Sequence, residues 1–273
     1  MKLATIRTDG GHAAVRVDGD AAVEVGARDV RELLSEPNWR ERAANASGRT
    51  HRLSTVDYAP VVPEPGKIFC VGLNYRNHIL EMGRELPEYP TLFAKFADAL
   101  IGSRDDIELP AVSDAIDWEA ELAVIIGTTV RDAGLDQARA AIAGYSVLND
   151  VTARDYQFRT KEWLQGKTFE ATTPLGPVLV TPDELPADAE MTCEVDGEPV
   201  QKAGIGNLVF GPAELVSYIS KIITLRPGDV IATGTPGGVG HARKPPRYLT
   251  DGSVLTTRIT GIGELVNTAR GRK

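Results

Sequence analysis

Apolar and polar positions alternate in short runs over most of the chain, the period of a half-buried strand. Leu3 to Arg7, Ala13 to Val17 and Ala22 to Val25 follow it, with the turn Asp18-Gly19-Asp20 between the last two. A short helix is predicted at Val30 to Leu34. The Pro-rich connector Pro60 to Gly66 then separates a small N-terminal α/β unit, residues 1–62, from a larger one, residues 63–273. Ile68 to Leu73 is an apolar run of strand length. Asn74 stands where it would cap a following helix, and Gly83 where it would stop it. Thr91 to Gly102 places Lys95 inside an apolar strand pattern, where it either snorkels outward or turns into a pocket. Leu135 to Ile142 reads as a connecting helix. In Pro212 to Leu225, Leu215, Ile219 and Ile222 keep helical spacing behind a proline suited to a first turn. Met191 to Ala203 is a hairpin turning at Asp196-Gly197, and strands at Ser253 to Ile259 and Ile262 to Asn267 close the chain. Strands predominate, so the expected fold is mainly β (α+β), built of coiled sheets.

The chain is organised around Asp117 to Asp150. Glu119 and Glu121 lie two apart in the otherwise apolar run DWEAELAVIIG, so in a strand both carboxylates project to one face while Leu122, Val124 and Ile126 pack on the other. Two like charges buried side by side are costly unless something positive lies between them. A second strand, Tyr145 to Leu148, delivers Asp150 at its C-terminal end. Three carboxylates converging there make an all-oxygen site for a hard divalent cation, Mg²⁺ or Mn²⁺ before Zn²⁺, with positions left open for a chelating substrate.

Other residues add to this picture. His78 and Glu81 are three apart on the predicted helix after Asn74, a pair able to hold and activate a water. The polar, breaker-rich stretch Arg84 to Pro90 is a candidate lid. Arg154 and Gln157 fall on a helical turn just past Asp150, and Lys167 is a candidate cation beside the carboxylates. Arg76, Arg84 and Lys95 are candidates for a second carboxylate, with Arg84 read as solvated. The stretch RPGDVIATGTPGGVG, Arg226 to Gly240, is a turn, a strand and a Gly-rich loop whose amides can approach an anion. It is neither a P-loop nor a dinucleotide fingerprint. His241 follows it with no assigned role.

Composition narrows the class. The chain has 273 residues, 42% hydrophobic and 25% charged, ordinary for a globular protein of one large domain with an appendage. A net charge of -8 with no basic block argues against nucleic acid, and no apolar run is long enough to span a bilayer. Cys70 and Cys193 both lie in apolar strand contexts and read as buried thiols, which suits a reducing cytoplasm. The histidines lack zinc-ligand spacing.

Five ordered segments carry a resemblance. GLNYRNH at 72–78, Glu119-Ala120-Glu121, NDVTARD at 149–155, GKTFEATTPLGP at 166–177 and GDVIATGTPGGVG at 228–240 resemble the fumarylacetoacetate hydrolase family over residues 67 to 267. The resemblance implies a β-roll-like catalytic fold, usually a homodimer, with an N-terminal extension of varied form. It implies Glu119, Glu121 and Asp150 as ligands of Mg²⁺ or Mn²⁺, and His78 with Glu81 as the water-activating pair of acylpyruvase-like members. It further implies Lys167 near the metal and substrate oxygens, Arg154 and Gln157 on the substrate carboxylate, and Thr235 on that carboxylate from the opposite wall. Glu170 stands where the family often has Asp.

The chemistry expected first is hydrolysis of a carbon–carbon bond in a 2,4-dioxo acid of the acylpyruvate or fumarylpyruvate type. A divalent ion would polarise the keto oxygen, His78 oriented by Glu81 would deprotonate water, and Lys167 would offset the accumulating charge. The same site admits decarboxylation of an oxaloacetate-type acid, or isomerisation or decarboxylation of a hydroxymuconate-type acid. A protein that only binds a 2-oxo acid or a metal is the alternative from another class.

Overall fold

A computed structural model describes residues 1–81, 83 and 85–271, apart from the side chains of His78 and Glu81. The chain opens with β1 (Lys2–Thr8), β2 (Gly11–Asp18) and β3 (Ala21–Glu24). In α1 (Val30–Leu34) the Asp29 carboxylate caps the first turn, accepting from the Glu32 amide at 2.8 Å. Then come α2 (Trp39–Ala44), β4 (Thr50–Arg52) and β5 (Asp57–Tyr58). Past the connector lie β6 (Ile68–Gly72), α3 (Arg76–Glu81), β7 (Thr91–Lys95), β8 (Leu100–Ile101), β9 (Ile107–Leu109), β10 (Ile116–Asp117) and β11 (Ala120–Ile126). Next are α4 (Leu135–Ala140), β12 (Ile142–Asn149), β13 (Thr152–Ala153), α5 (Arg154–Gln157), α6 (Leu164–Lys167) and β14 (Thr173–Val180). The chain ends with β15 (Glu190–Val195), β16 (Glu198–Gly204), α7 (Pro212–Ile222), β17 (Val230–Ala232), β18 (Val254–Ile259) and β19 (Gly263–Gly271).

The fold is mainly β, as the alternation predicts. One large sheet runs β4-β3-β2-β1-β14-β12-β11-β17-β6-β7, with β5 on β1 and β8 on β14. A five-stranded sheet, β16-β15-β18-β19-β9, packs against it. Every residue of β11 is buried, because it lies mid-sheet between β12 and β17 with apolar cores on both faces. Glu119 and Glu121 therefore occupy the interior, the costly situation that calls for cations. α7 buries Leu215, Val216 and Ile219 in one core with Val124, Ile126 and Ile231, which explains the spacing of Leu215 and Ile219, whereas Ile222 at its end is exposed.

One expectation changes, and one left open is decided. Asn74 does not cap α3; its Oδ1 accepts from the Phe210 amide at 2.8 Å, and its Nδ2 donates to the carbonyls of Thr233 and Phe210. A buried amide with three tertiary partners is worth more there than as a cap. Lys95 does not snorkel; it is 2% exposed and points inward. Leu122, Val124 and Ile126 are all buried, as the strand pattern expects, and both faces of β11 are covered. Gly83 behaves as the helix stop, with φ +67° and its amide on the Leu80 carbonyl. Both cysteines are free and buried. No helix among the described residues is long and apolar enough to cross a membrane.

Candidate active site

Two strand ends place the acidic cluster. Glu119 precedes β11, Glu121 lies in it, and Asp150 follows β12, whose Asn149 pairs with Ala120. The Asp150 amide donates to the Glu119 carbonyl at 2.8 Å, and the Glu119 amide to Asn149 Oδ1 at 2.9 Å, so the neighbouring strands fix the spacing. One oxygen from each of Glu119, Glu121 and Asp150 lies within 4.8 Å of the others, and all three residues are buried. Glu121 accepts a 2.7 Å hydrogen bond from the Gly234 amide. Burial, and then repulsion from Asp150 and Glu119, still push its pKa well above the ordinary carboxylate range. Oδ1 of Asp150 is buried with no hydrogen-bond partner and only an ionic contact with Lys95. An all-carboxylate donor set, with an Asp150 oxygen met only by Lys95 and a carboxylate that resists ionisation, fits a hard divalent cation.

Cations close the cluster. Lys167 Nζ bridges Glu119 Oε2 and Asp150 Oδ2 at 2.8 Å each. Burial opposes its charge, but Asp150 and Glu119 outweigh that and hold its pKa above that of a free lysine. Lys95 Nζ reaches Asp150 Oδ1 at 2.9 Å and Thr173 Oγ1 at 2.8 Å. These two lysines outweigh the burial of Asp150 and lower its pKa. Arg154 Nη1 lies 2.6 Å from Glu119 Oε1 and donates to Gln157 Oε1 at 2.9 Å. Lys167, Arg154 and Gln157 thus fall where the sequence puts them. The short α6 that carries Lys167 has no apolar periodicity to announce it.

Asp117 is a residue of this cluster that the sequence did not single out. It is fully buried. Oδ2 accepts from Arg154 Nε at 2.8 Å and the His241 amide at 2.9 Å, while Oδ1 takes the amides of Gly240 and Trp118. One carboxylate thereby holds both Arg154 and the end of the Gly-rich loop. A Cβ on Gly240 would lie 1.9 Å from the Arg247 carbonyl, so only glycine brings the loop this close. The signal was present, an Asp two residues before Glu119, but the i, i+2 pattern gives no reason to prefer it.

A cavity of about 350 Å³ opens above the cluster. Glu119, Arg154, Gln157, Lys167, Thr235 and His241 line its polar side. Phe93, Phe158 and Trp163 line its apolar side, with Phe93 and Trp163 edge to face at 5.4 Å. His241 Nδ1 lies 2.9 Å from the Tyr248 hydroxyl. Arg76 is exposed. His78 and Glu81 lie on α3 as expected, but their side chains, like Arg84, fall outside the described residues.

Fold and site together define a mainly β enzyme with an acidic, cation-braced centre beneath a cavity. Residues 67–270 match the model of the fumarylacetoacetate hydrolase C-terminal domain, and the chain belongs to that family. Human oxaloacetate tautomerase FAHD2A, mitochondrial, is 42% identical over 218 residues, covering 78% of this chain and 69% of that protein. The structure of fumarylacetoacetate hydrolase from Exiguobacterium antarcticum superposes with a TM-score of 0.89 at 35% identity over 100% of both chains. That of 5-carboxymethyl-2-hydroxymuconate delta-isomerase from Mycobacterium smegmatis does so with 0.85 at 34% identity, again over 100% of both.

Proposed function

We propose that this protein interconverts the keto and enol forms of a short, doubly anionic 2-oxo acid of the oxaloacetate type. Glu119, Glu121 and Asp150 would hold a divalent ion, Mg²⁺ or Mn²⁺. The observation that carries this reading is the charge balance of the buried centre. Asp117, Glu119, Glu121 and Asp150 face Lys95, Arg154 and Lys167, so with every group charged one negative charge is left over. A divalent ion reverses its sign, and the loaded site then attracts an anion in spite of the chain's acidic total. The names of the human tautomerase and the muconate isomerase support a proton shift before hydrolysis, which the sequence favoured.

When bound, the ion would supply Lewis acidity to the keto oxygen. Arg154, braced by Asp117 and Gln157, orients the substrate carboxylate, and Thr235 meets it from the other wall. Lys167 stays an ammonium and offsets negative charge on the enol oxygen. His78 and Glu81 on α3 are assigned the proton passed between carbon and oxygen. No attacking water is needed. Decarboxylation of the same acid would use the same residues.

Purified protein with Mg²⁺ is expected to speed the decay of the enol-oxaloacetate absorbance. Glu119→Ala should slow it by about a hundredfold or more, since losing even an outer neighbour of a metal ligand costs up to that much. Pyruvate release from acetylpyruvate at a higher kcat/KM would replace tautomerisation with hydrolysis. Full activity of Glu119→Ala would remove the acidic cluster from the mechanism.

A further inference from the structure

We propose that Gln201 is a positioning residue that sets which way the Thr235 hydroxyl points and ties it to the ion-binding strand. Gln201 is 3% exposed and lies on β16, in the five-stranded sheet, more than 30 residues from every other residue of the site. Its Oε1 accepts from the amide of Ala120, the residue between Glu119 and Glu121, at 3.0 Å. Its Nε2 donates to Thr235 Oγ1 at 2.9 Å and to the Pro236 carbonyl at 3.0 Å. The amide can sit only this way round, because the Ala120 N–H needs an acceptor and the Pro236 carbonyl a donor.

The consequence is chemical. Both Nε2 hydrogens are spent, and one falls on a lone pair of Thr235 Oγ1. Thr235 lines the cavity, so its own O–H is left to donate into that space, toward an anion. A threonine hydroxyl is otherwise free to rotate and can present a lone pair instead, which would repel a carboxylate. The same amide fixes the distance between the Glu119-Ala120-Glu121 segment and the Thr235 loop, the two walls a chelating 2-oxo acid has to touch together. Gln201 acts through Thr235 and touches no substrate.

The inference rests on reading Thr235 as a carboxylate-binding residue, and the test separates the two. Oxalate titrated calorimetrically into Mg²⁺-loaded protein reads the site without turnover. Gln201→Leu should weaken oxalate about tenfold, the worth of one hydrogen bond to a charged acceptor, and Thr235→Val should do the same. The double variant should be no weaker than Thr235→Val alone. Gln201→Glu, unchanged in volume, keeps an acceptor for Ala120 but draws the Thr235 proton to itself; it should weaken oxalate at least as much, and it keeps the test open if the Leu variant fails to fold. In turnover these variants should raise KM more than they lower kcat. If Gln201→Leu and Gln201→Glu weaken oxalate equally with and without the Thr235 hydroxyl, Gln201 is only a support for β11 and the proposal is overturned. If Thr235→Val leaves oxalate binding intact, or oxalate does not bind the unaltered protein, the reading of the site falls, and this inference with it.

Discussion

Asp117 shows how much one buried carboxylate can hold. It meets Arg154 and three backbone amides, and Arg154 in turn meets Glu119. Asp117→Asn keeps the shape and removes the charge. It also turns an N–H₂ toward donors that need an acceptor. Breaking a buried ion pair costs about 3–5 kcal/mol. Because Glu119 still faces Arg154, the lower end is expected, about 3 kcal/mol, read as a fall in the urea midpoint at unchanged m-value. Since Arg154 loses its brace, KM for the 2-oxo acid should rise as well. A loss under about 1 kcal/mol would mean that the loop and Arg154 are held by something else.

At the scale of elements, β11 and β12 were legible and most of what braces them was not. Glu119, Glu121 and Asp150 declare themselves because carboxylates in apolar strand runs break the expected pattern. Arg154 and Gln157 were found from their place just past Asp150 and Lys167 as a cation beside the carboxylates, and the ordered motifs agreed. Lys95 was seen as anomalous but left undecided, because a lysine in a strand carries no sign of the face it will take. Gln201 left no trace, being an ordinary polar residue in a hairpin whose docking onto β11 is a tertiary fact. The bracing has a thermodynamic consequence. Without an ion, burial and the repulsion between Glu121 and its neighbours are only partly relieved by Lys167 and the Gly234 amide, so the two-strand unit is a point of weakness. A ligand at a hundred times its Kd adds about 2.7 kcal/mol, roughly 5 °C in melting temperature for a chain of this size. Mg²⁺ or Mn²⁺ is expected to raise the melting temperature by that amount, EDTA to reverse it, and Glu121→Ala to abolish the response. An equal rise in Glu121→Ala would place the ion elsewhere.

The molecule as a whole was legible as alternating strands in order, and its two-part division was read from the connector at Pro60 to Gly66. The structure adds how closely the parts are joined. β1 pairs with β14, Lys2 opposite Val180 and Leu3 opposite Leu179, and the Val61 amide donates to the Leu175 carbonyl. One apolar core mixes Leu3, Val30, Leu33 and Trp39 with Ile68, Ala123, Ile125, Leu148 and Leu179. Breakers in a sequence mark where the chain turns, but pairing and packing across them depend on residues far away, which no local pattern reports. We propose that residues 1–62, whose strands continue the large sheet, are not a separate unit in stability. Neither part can leave without exposing the other's core, so unfolding should be one cooperative step. The tryptophans allow a direct test. Trp39 is buried in the N-terminal unit and Trp118 in the larger one. With the other tryptophans replaced by Phe, urea curves followed through Trp39 alone should overlay those followed through Trp118 alone, once corrected for each variant's own stability by calorimetry. An earlier transition at Trp39, with Trp118 still in its native environment, would show that the N-terminal unit unfolds by itself and that the β1–β14 seam is weaker than its pairing implies.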